Sequence, residues 1–267
     1  MGLKDQLSGV LPADVLPYVS DHFEVIGDIA VLAVPAALEP YRHALAQAVI
    51  AKRKNIVTVL NKTEKITGDS RTARYEVLLG GPTITVHRES GFSYRIDVTR
   101  SFFSTRMASE RKRVTGQVRP GEKVYVPFAG VGPYAIPAAA KGAEVWAVEM
   151  NPDAFRWLSG NVALNRVGEN CHFRLGDALD TSPLPRASFD RLIIPAPYGM
   201  DHALHVLLPL LSYGGTAHVY TFKTREQVPG LVAAYEDAGL EVAYQNSCGN
   251  VAPGVSRRVF DLVRRQP

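Results

Sequence analysis

The stretch VYVPFAGVGPYAIPAAA, residues 124–140, decides the fold of this chain. An apolar run of β-forming residues meets a turn containing Gly130 and Gly132, and an alanine-rich run of helical character follows. Glycine allows positive φ and lets a ligand approach the main chain closely. A helix that starts after such a turn also offers free N–H groups at its N-terminus. The stretch therefore predicts a strand, a ligand-binding turn and a helix.

Strand and helix patterns alternate along the rest of the C-terminal half. The predicted strands cover residues 144–151, 171–177, 189–197 and 215–222, and the predicted helices cover residues 152–167, 200–211 and 225–239. Such alternation predicts a parallel, doubly wound sheet. A last pair of strands, 240–248 and 256–264, is expected to close the sheet in antiparallel fashion.

The N-terminal part predicts a smaller α/β unit, with a helix at 38–53 among several strands. We expect an N-terminal α/β domain over residues 1–100 that positions the substrate. A cofactor-binding catalytic domain is expected over residues 101–267, beginning with a helix at about 100–118.

The composition argues against a secreted, a membrane-spanning or a disulfide-rich protein. The 267 residues are 46% hydrophobic and 21% charged, and neither a cleavage signal nor a run of roughly 20 apolar residues is present. The two cysteines, Cys171 and Cys248, suggest neither a metal site nor a disulfide framework. We expect a cytoplasmic protein that binds no membrane and no metal.

The net charge is +4, and cationic residues cluster at 100–113 beside Phe102 and Phe103. Cations interleaved with aromatic rings suit phosphates and stacked bases, although a solvated helix face has the same composition.

Two acids accompany the glycine turn. Glu149 ends the second strand about 20 residues after the turn, where an acid can bind a ribose, and Asp177 ends the third strand. The turn is not a full GxGxxG and lacks the Lys-Ser/Thr of a P-loop. These features favour S-adenosylmethionine (SAM), with NAD as the alternative. The predicted cofactor-binding residues are Phe128, Ala129, Gly130, Val131, Gly132, Pro133, Glu149, Met150, Asp177, Ala178 and Pro195.

The fourth strand ends in IIPAPYG, residues 193–199. This turn resembles the Asn/Asp-Pro-Pro-aromatic turn of amino-group methyltransferases, with Pro195 at the Asn/Asp position. Tyr198 is expected to stack on the target base. The alternative is a strand exit that the prolines merely stiffen.

Motifs in the same order occur in a known family. They are FEVIGDIAVLAVP, TVLNK, HRESGFSYRIDV, FFSTRMASERKRV, FAGVGPY, NVALNRV, GGTAHVYTF and VAPGVSRRVFDL. The chain resembles the archaeal tRNA guanosine-37 N1-methyltransferases and their relatives, the wyosine-pathway aminocarboxypropyltransferases. The resemblance implies the Rossmann-like fold of class I SAM-dependent methyltransferases, and tRNA as partner.

The motifs divide between the two branches. FSTRMASER and FAGVGPY resemble the methyltransferases. Pro195, in place of the methyltransferase Asn, counts against that branch. So does the expectation that the chain starts at the second domain, as the aminocarboxypropyltransferases do.

The resemblance also implies catalytic roles. Methylation of guanine N1 requires removal of its proton, and Glu110 matches the family's general base. Arg106, Arg111 and Arg113 surround it in sequence and favour its ionised form. Arg106 is expected to hold that carboxylate or a phosphate, and Arg111 and Arg113 to bind substrate. Arg71 matches an arginine that could stabilise negative charge on the base. The alternatives are plain ion pairs for Glu110 and Arg71.

The leading hypothesis is therefore SAM-dependent methylation of N1 of guanosine 37 in tRNA. The alternatives are aminocarboxypropyl transfer from SAM to a wyosine precursor in tRNA, N-methylation of a protein side chain, and a non-catalytic RNA-binding module. The sequence leaves the acceptor and the oligomeric state open.

Overall fold

The computed structural model describes residues 2–64, 73–184 and 188–266. It separates into two compact units, residues 1–106 and 107–267. The predicted domain boundary after residue 100 falls shortly before this division and stays a prediction.

The first unit contains a four-stranded sheet, in the order β1-β2-β3-β4, and a separate hairpin, β5-β6. Its elements are α1 (Leu3–Leu7), β1 (Glu24–Ile26), β2 (Ile29–Leu32), α2 (Arg42–Lys52), β3 (Thr58–Lys62), β4 (Tyr75–Leu79), β5 (Ile84–Glu89) and β6 (Phe92–Asp97). Helix α2 begins later than predicted, because Pro40 lies in a 3-10 helix, Ala36–Tyr41, that precedes it. The buried side of α2 carries Leu45 and Val49, four residues apart on one helix face.

The second unit is a seven-stranded sheet in the order β12-β13-β11-β10-β7-β8-β9. Its elements are α3 (Ala108–Gly116), β7 (Lys123–Pro127), α4 (Ala135–Ala140), β8 (Glu144–Glu149), α5 (Pro152–Leu164), β9 (Cys171–Leu175), β10 (Phe189–Ile194), α6 (Ala203–Leu207), β11 (Leu211–Lys223), α7 (Val228–Asp237), β12 (Leu240–Ala252) and β13 (Val255–Arg264). Strands β9, β8, β7, β10 and β11 are parallel, and β13 runs antiparallel to both β11 and β12. The predicted doubly wound sheet and its antiparallel closure are confirmed.

The central strands are apolar runs, because helices cover both faces of a doubly wound sheet. Val124, Tyr125 and Val126 of β7 are fully buried. Helix α5 begins as predicted: the Asn151 side chain accepts a hydrogen bond from the Asp153 backbone N–H at 2.9 Å.

Other predicted boundaries were also wrong. The helix predicted at 200–211 is the short α6 followed by a 3-10 helix, Leu208–Leu210. Strand β11 starts at Leu211 rather than residue 215, and its register against β10 shifts between Phe189 and Arg191. An irregular strand of this kind lacks the strict alternation on which sequence patterns depend.

In the ranges that the structure describes, no helix has both the length and the apolar character needed to cross a membrane.

Candidate functional site

The turn after β7 has a backbone that favours glycine. Phe128, Gly130 and Gly132 have φ values of 54°, 56° and 97°. A Cβ on Gly132 would lie 2.8 Å from Ile136 Cδ1 and 2.9 Å from Leu158 Cδ1. A side chain at position 132 would therefore force the ends of two buried side chains to move, and the positive φ also favours glycine.

Glu149 closes the turn from the neighbouring strand. Its Oε2 accepts a hydrogen bond from the Gly130 N–H at 2.6 Å, and its Oε1 accepts one from the Asn151 N–H at 2.8 Å. A carboxylate has about four lone-pair sites, so further donors can still bind. The predicted ribose-binding acid thus lies directly against the turn.

The end of β9 lies at the same edge of the sheet. Asp177 is exposed, and its Oδ1 accepts a hydrogen bond from the Leu179 N–H at 2.9 Å. The buried Ala178 accepts one from the Tyr125 hydroxyl at 2.8 Å through its carbonyl. Together with Glu149, these groups offer acceptors for hydroxyl and amino groups beside a turn that a nucleoside can approach.

The turn after β10 carries an exposed aromatic ring. Pro195 is half-buried, whereas Tyr198 is 74% exposed. The Tyr198 ring centroid lies 5.3 Å from that of Phe222 at the end of β11. This geometry leaves one face of Tyr198 available for stacking on a base.

Glu110 lies on α3 and accepts three hydrogen bonds. Arg113 donates from Nη2 to Oε1 at 2.7 Å and from Nε to Oε2 at 2.9 Å. The Tyr220 hydroxyl donates to Oε1 at 3.0 Å. The Tyr220 ring in turn lies 5.9 Å from that of Tyr134, which follows the glycine turn. The side chain of Glu110 is only 12% exposed, so this is a fixed internal group rather than a mobile surface acid.

Arg113 is held from its other side by Asp261 on β13. Its Nη1 and Nη2 donate to the two carboxylate oxygens at 2.6 and 2.8 Å. Its guanidinium also lies 4.2 Å from the centre of the Tyr244 ring. Burial alone would raise the pKa of Asp261, but hydrogen bonds from Arg113 and His218 outweigh it and hold the pKa well below its ordinary value.

His218 on β11 continues this arrangement. Its Nδ1 lies 2.7 Å from Asp261 Oδ1, and its Nε2 lies 2.7 Å from Arg191 Nη1. An arginine can only donate, so Nε2 accepts and the Nδ1 hydrogen points to Asp261. Burial lowers the pKa of His218, which agrees with a neutral ring. Arg191 in turn donates two hydrogen bonds to Glu122, from Nε to Oε2 at 2.8 Å and from Nη2 to Oε1 at 2.9 Å. We call this series the buried polar chain: Glu110, Arg113, Asp261, His218, Arg191 and Glu122.

The other predicted site residues are dispersed. Arg111 is buried. Arg106 is exposed in the first unit, where its charge acts on the nearby Lys62. Burial lowers the pKa of Lys62, Arg106 acts in the same direction, and Glu24 opposes them. Arg71 lies outside the described residues. Wherever the structure describes the chain, no three His, Cys, Asp or Glu side chains are grouped to hold a metal ion.

Sequence reasoning missed most of the buried polar chain. A charged residue inside a mostly apolar strand, such as Arg191 in FDRLII or Asp261 in VFDLV, signals a buried ion pair. The sequence does not say with which partner.

Comparison with protein families decides the relationship. The model of the TRM5/TYW2 methyltransferase domain matches residues 85–235, and the model of the TYW2 N-terminal domain matches residues 3–83. The chain belongs to the TRM5/TYW2 family. The resemblance seen in the sequence is confirmed.

Two curated relatives represent the two branches of the TRM5/TYW2 family. The chain is 34% identical over 214 residues to tRNA (guanine(37)-N(1))-methyltransferase Trm5b of Pyrococcus abyssi, covering 79% of this chain and 63% of the relative. It is 37% identical over 166 residues to tRNA(Phe) (4-demethylwyosine(37)-C(7)) aminocarboxypropyltransferase of Pyrococcus horikoshii, covering 62% and 59%. The chain thus spans less than two thirds of the length of either relative.

Solved structures confirm the predicted fold. The crystal structure of Trm5b from P. abyssi superimposes with a TM-score of 0.86 at 30% identity, covering 96% of this chain and 79% of that chain. The structure of P. horikoshii TYW2 in complex with MeSAdo has a TM-score of 0.79 at 28% identity, and the match covers 98% of this chain and 97% of that chain.

Proposed function

We propose that this TRM5/TYW2 family protein methylates N1 of guanosine 37 in tRNA, with SAM as the methyl donor. The observation that carries the proposal is the Glu110 carboxylate, which Arg113 and Tyr220 hold in one orientation. Tyr220 packs on Tyr134, so this fixed acid lies close to the turn that we assign to the cofactor. A base in reach of a methyl donor is what the reaction needs.

The residues of the turn fit a nucleoside cofactor. In the proposal, residues 128–133 approach SAM with their backbone, and the Glu149 carboxylate accepts hydrogen bonds from the ribose hydroxyls. Asp177 and Ala178 border the adenine, and Met150 and Pro195 line the same edge of the sheet. When bound, SAM supplies an electrophilic methyl group.

Glu110 takes the proton from guanine N1, because a protonated ring nitrogen has no free lone pair with which to attack. Three hydrogen bonds occupy most of its lone-pair sites and leave room for one more donor, the N1–H. Arg113 is engaged by two carboxylates, so we assign it to positioning Glu110 rather than to direct substrate contact. Arg71 stabilises the charge that develops on O6, and Arg106 binds a phosphate or a carboxylate.

Tyr198 stacks on the target base, and the exposed cations of the segment at 100–113 contribute to binding tRNA. Arg111, which is buried, supports this segment from inside the second unit. The proposed location is the cytoplasm. A protein nitrogen is the alternative acceptor, motivated by Pro195 in place of the Asn of the methyltransferases.

Aminocarboxypropyl transfer from SAM is the second candidate. The N-terminal family model that matches is that of TYW2, and the TYW2 structure aligns over nearly the whole of both chains. The same cofactor site could serve this reaction if a different carbon next to the sulfonium faced the acceptor.

One experiment tests these assignments. The purified protein is incubated with SAM and an unmodified tRNA transcript carrying guanosine 37, and nucleosides and co-products are identified by mass spectrometry. We expect 1-methylguanosine and S-adenosylhomocysteine in equal amounts. A parallel reaction contains a wyosine-precursor tRNA in place of the transcript. If only that reaction is productive and its co-product is methylthioadenosine, the second candidate is established instead. Transfer to protein only would contradict both.

A further inference from the structure

Arg257 is a half-buried cation at the edge of the sheet where the proposed site lies. It stands opposite Phe222 in the β11–β13 register, and its guanidinium carbon lies 5.3 Å from the centre of the Phe222 ring. Over residues 2–64, 73–184 and 188–266, no hydrogen bond or ion pair engages this guanidinium.

The strand register places Arg257 on the same sheet face as Glu110. Residues two apart in a strand share a face, so Tyr220 and Phe222 point to one side. Directly opposed residues of an antiparallel pair also share a face, which brings Arg257 to that side. Phe222 lies two residues beyond Tyr220, so Arg257 lies about 7 Å nearer the carboxyl edge than the tyrosine that holds Glu110.

The electrostatics around Arg257 are those of a cation without a counter-ion. Burial lowers its pKa and outweighs the nearby Tyr134, Cys248 and Tyr220, which raise it, while the neighbouring cation Arg111 lowers it further. Keeping a charge partly out of water without a partner is unfavourable, so the arrangement suits an external anion. A guanidinium, with its planar set of donors, matches phosphate and carboxylate oxygens.

The surroundings favour a phosphate of the acceptor over the carboxylate of the cofactor. Strands β11 and β10 separate β13 from β7, which carries the glycine turn. Beside Arg257 lie the Phe222 ring and, beyond it, the exposed ring of Tyr198. Successive aromatic rings next to a cation are a common arrangement for single-stranded nucleic acid.

We propose that Arg257 binds a phosphodiester oxygen of the RNA next to the target nucleotide, while the Tyr198–Phe222 ring pair supports a base. This inference rests on the proposed function.

The test measures binding of the unmodified tRNA transcript at salt concentrations between about 50 and 200 mM. The Arg257→Gln variant removes the charge, and Arg257→Lys retains it. Arg265→Gln is the matched control, because Arg265 is exposed and follows the opposite end of β13. We expect Arg257→Gln to reduce the slope of log K against log salt by about 0.7 to 0.9, which is one phosphate contact. Arg257→Lys and Arg265→Gln should keep the wild-type slope.

Calorimetry with S-adenosylhomocysteine separates the two sources of the anion, since this compound retains the amino-acid carboxylate. Its affinity should be the same for Arg257→Gln and wild type. A loss of that affinity with an unchanged salt slope would assign Arg257 to the cofactor and overturn the proposal. An unchanged slope in folded Arg257→Gln, with a wild type that binds the transcript, would overturn this inference alone. A wild type that does not bind the transcript would overturn the proposed tRNA substrate as well.

Discussion

His218 and Asp261 are joined by a hydrogen bond of 2.7 Å inside the sheet, where the His218 side chain is fully buried. The bond connects β11 to β13, the strand that runs against its neighbours. Asp261 also binds Arg113, and Arg113 binds Glu110. The orientation of the proposed base therefore depends on a residue 151 positions later in the chain.

Replacement of Asp261 by Asn should disturb both stability and catalysis. It removes the buried partner of Arg113, which typically costs about 3 kcal/mol of unfolding free energy. Loss of the correct Glu110 orientation should slow single turnover on the order of 10-fold or more, with cofactor affinity unchanged. Urea denaturation and rapid-quench measurements check the two effects. Asp237→Asn, at an exposed helix end, is the control. A fully stable and fully active Asp261→Asn variant would contradict the positioning role.

The Glu110→Gln variant tests the base directly. Gln keeps the shape of Glu but cannot take the N1 proton, so single turnover should fall on the order of 100-fold or more. Binding of S-adenosylhomocysteine should be unaffected. Glu236→Gln, on an exposed face of α7, should behave like wild type. Wild-type turnover by Glu110→Gln would reduce Glu110 to an ion-pair residue.

Replacement of two glycines of the second unit by alanine should change the free energy of unfolding in opposite directions. Gly132→Ala introduces a Cβ that clashes with Ile136 and Leu158 at positive φ, and we expect a loss of about 1 to 3 kcal/mol. Gly160 lies inside α5 with no atom within 4 Å of its added Cβ. Gly160→Ala should therefore gain about 0.5 to 1 kcal/mol. Thermal unfolding of both variants measures these changes. Equal changes in stability for Gly132→Ala and Gly160→Ala would contradict the packing argument.

The stability of the protein should fall as the pH drops below about 6.5. The pKa of His218 is lowered in the folded state, from an ordinary value of 6.5, because the ring is buried. Between the two pKa values, the unfolded chain binds one more proton than the folded chain. Acidification therefore favours unfolding, by up to about 1.4 kcal/mol per pH unit from this group. The lowered pKa of Asp261 also makes acidification destabilising, but only at pH values below the ordinary pKa of 3.8.

Urea midpoints at pH 7.5, 6.5 and 5.5 measure this dependence. His218→Gln should show a flatter profile, although it is less stable throughout. His205→Gln, at an exposed position, should keep the wild-type slope. An unaltered slope in His218→Gln would assign the pH dependence to other groups.

The sequence by itself determined the doubly wound sheet, the turn around Gly130 and Gly132, and the acids at the strand ends. These features depend on short segments: hydrophobic periodicity, glycine conformation, the Asn151 cap, and the rule that parallel strands end at one edge. It could not locate the start of β11, where a register shift interrupts the alternation.

The partners of Glu110 were decided only by the tertiary structure. Residues 113 and 261 are 148 positions apart, and residues 218 and 261 are 43 apart. They meet because β13 inserts between β12 and β11 in one particular register, which brings Asp261 opposite His218. That register is fixed by long-range burial of both sheet faces, and no local pattern around Glu110 or Asp261 encodes it.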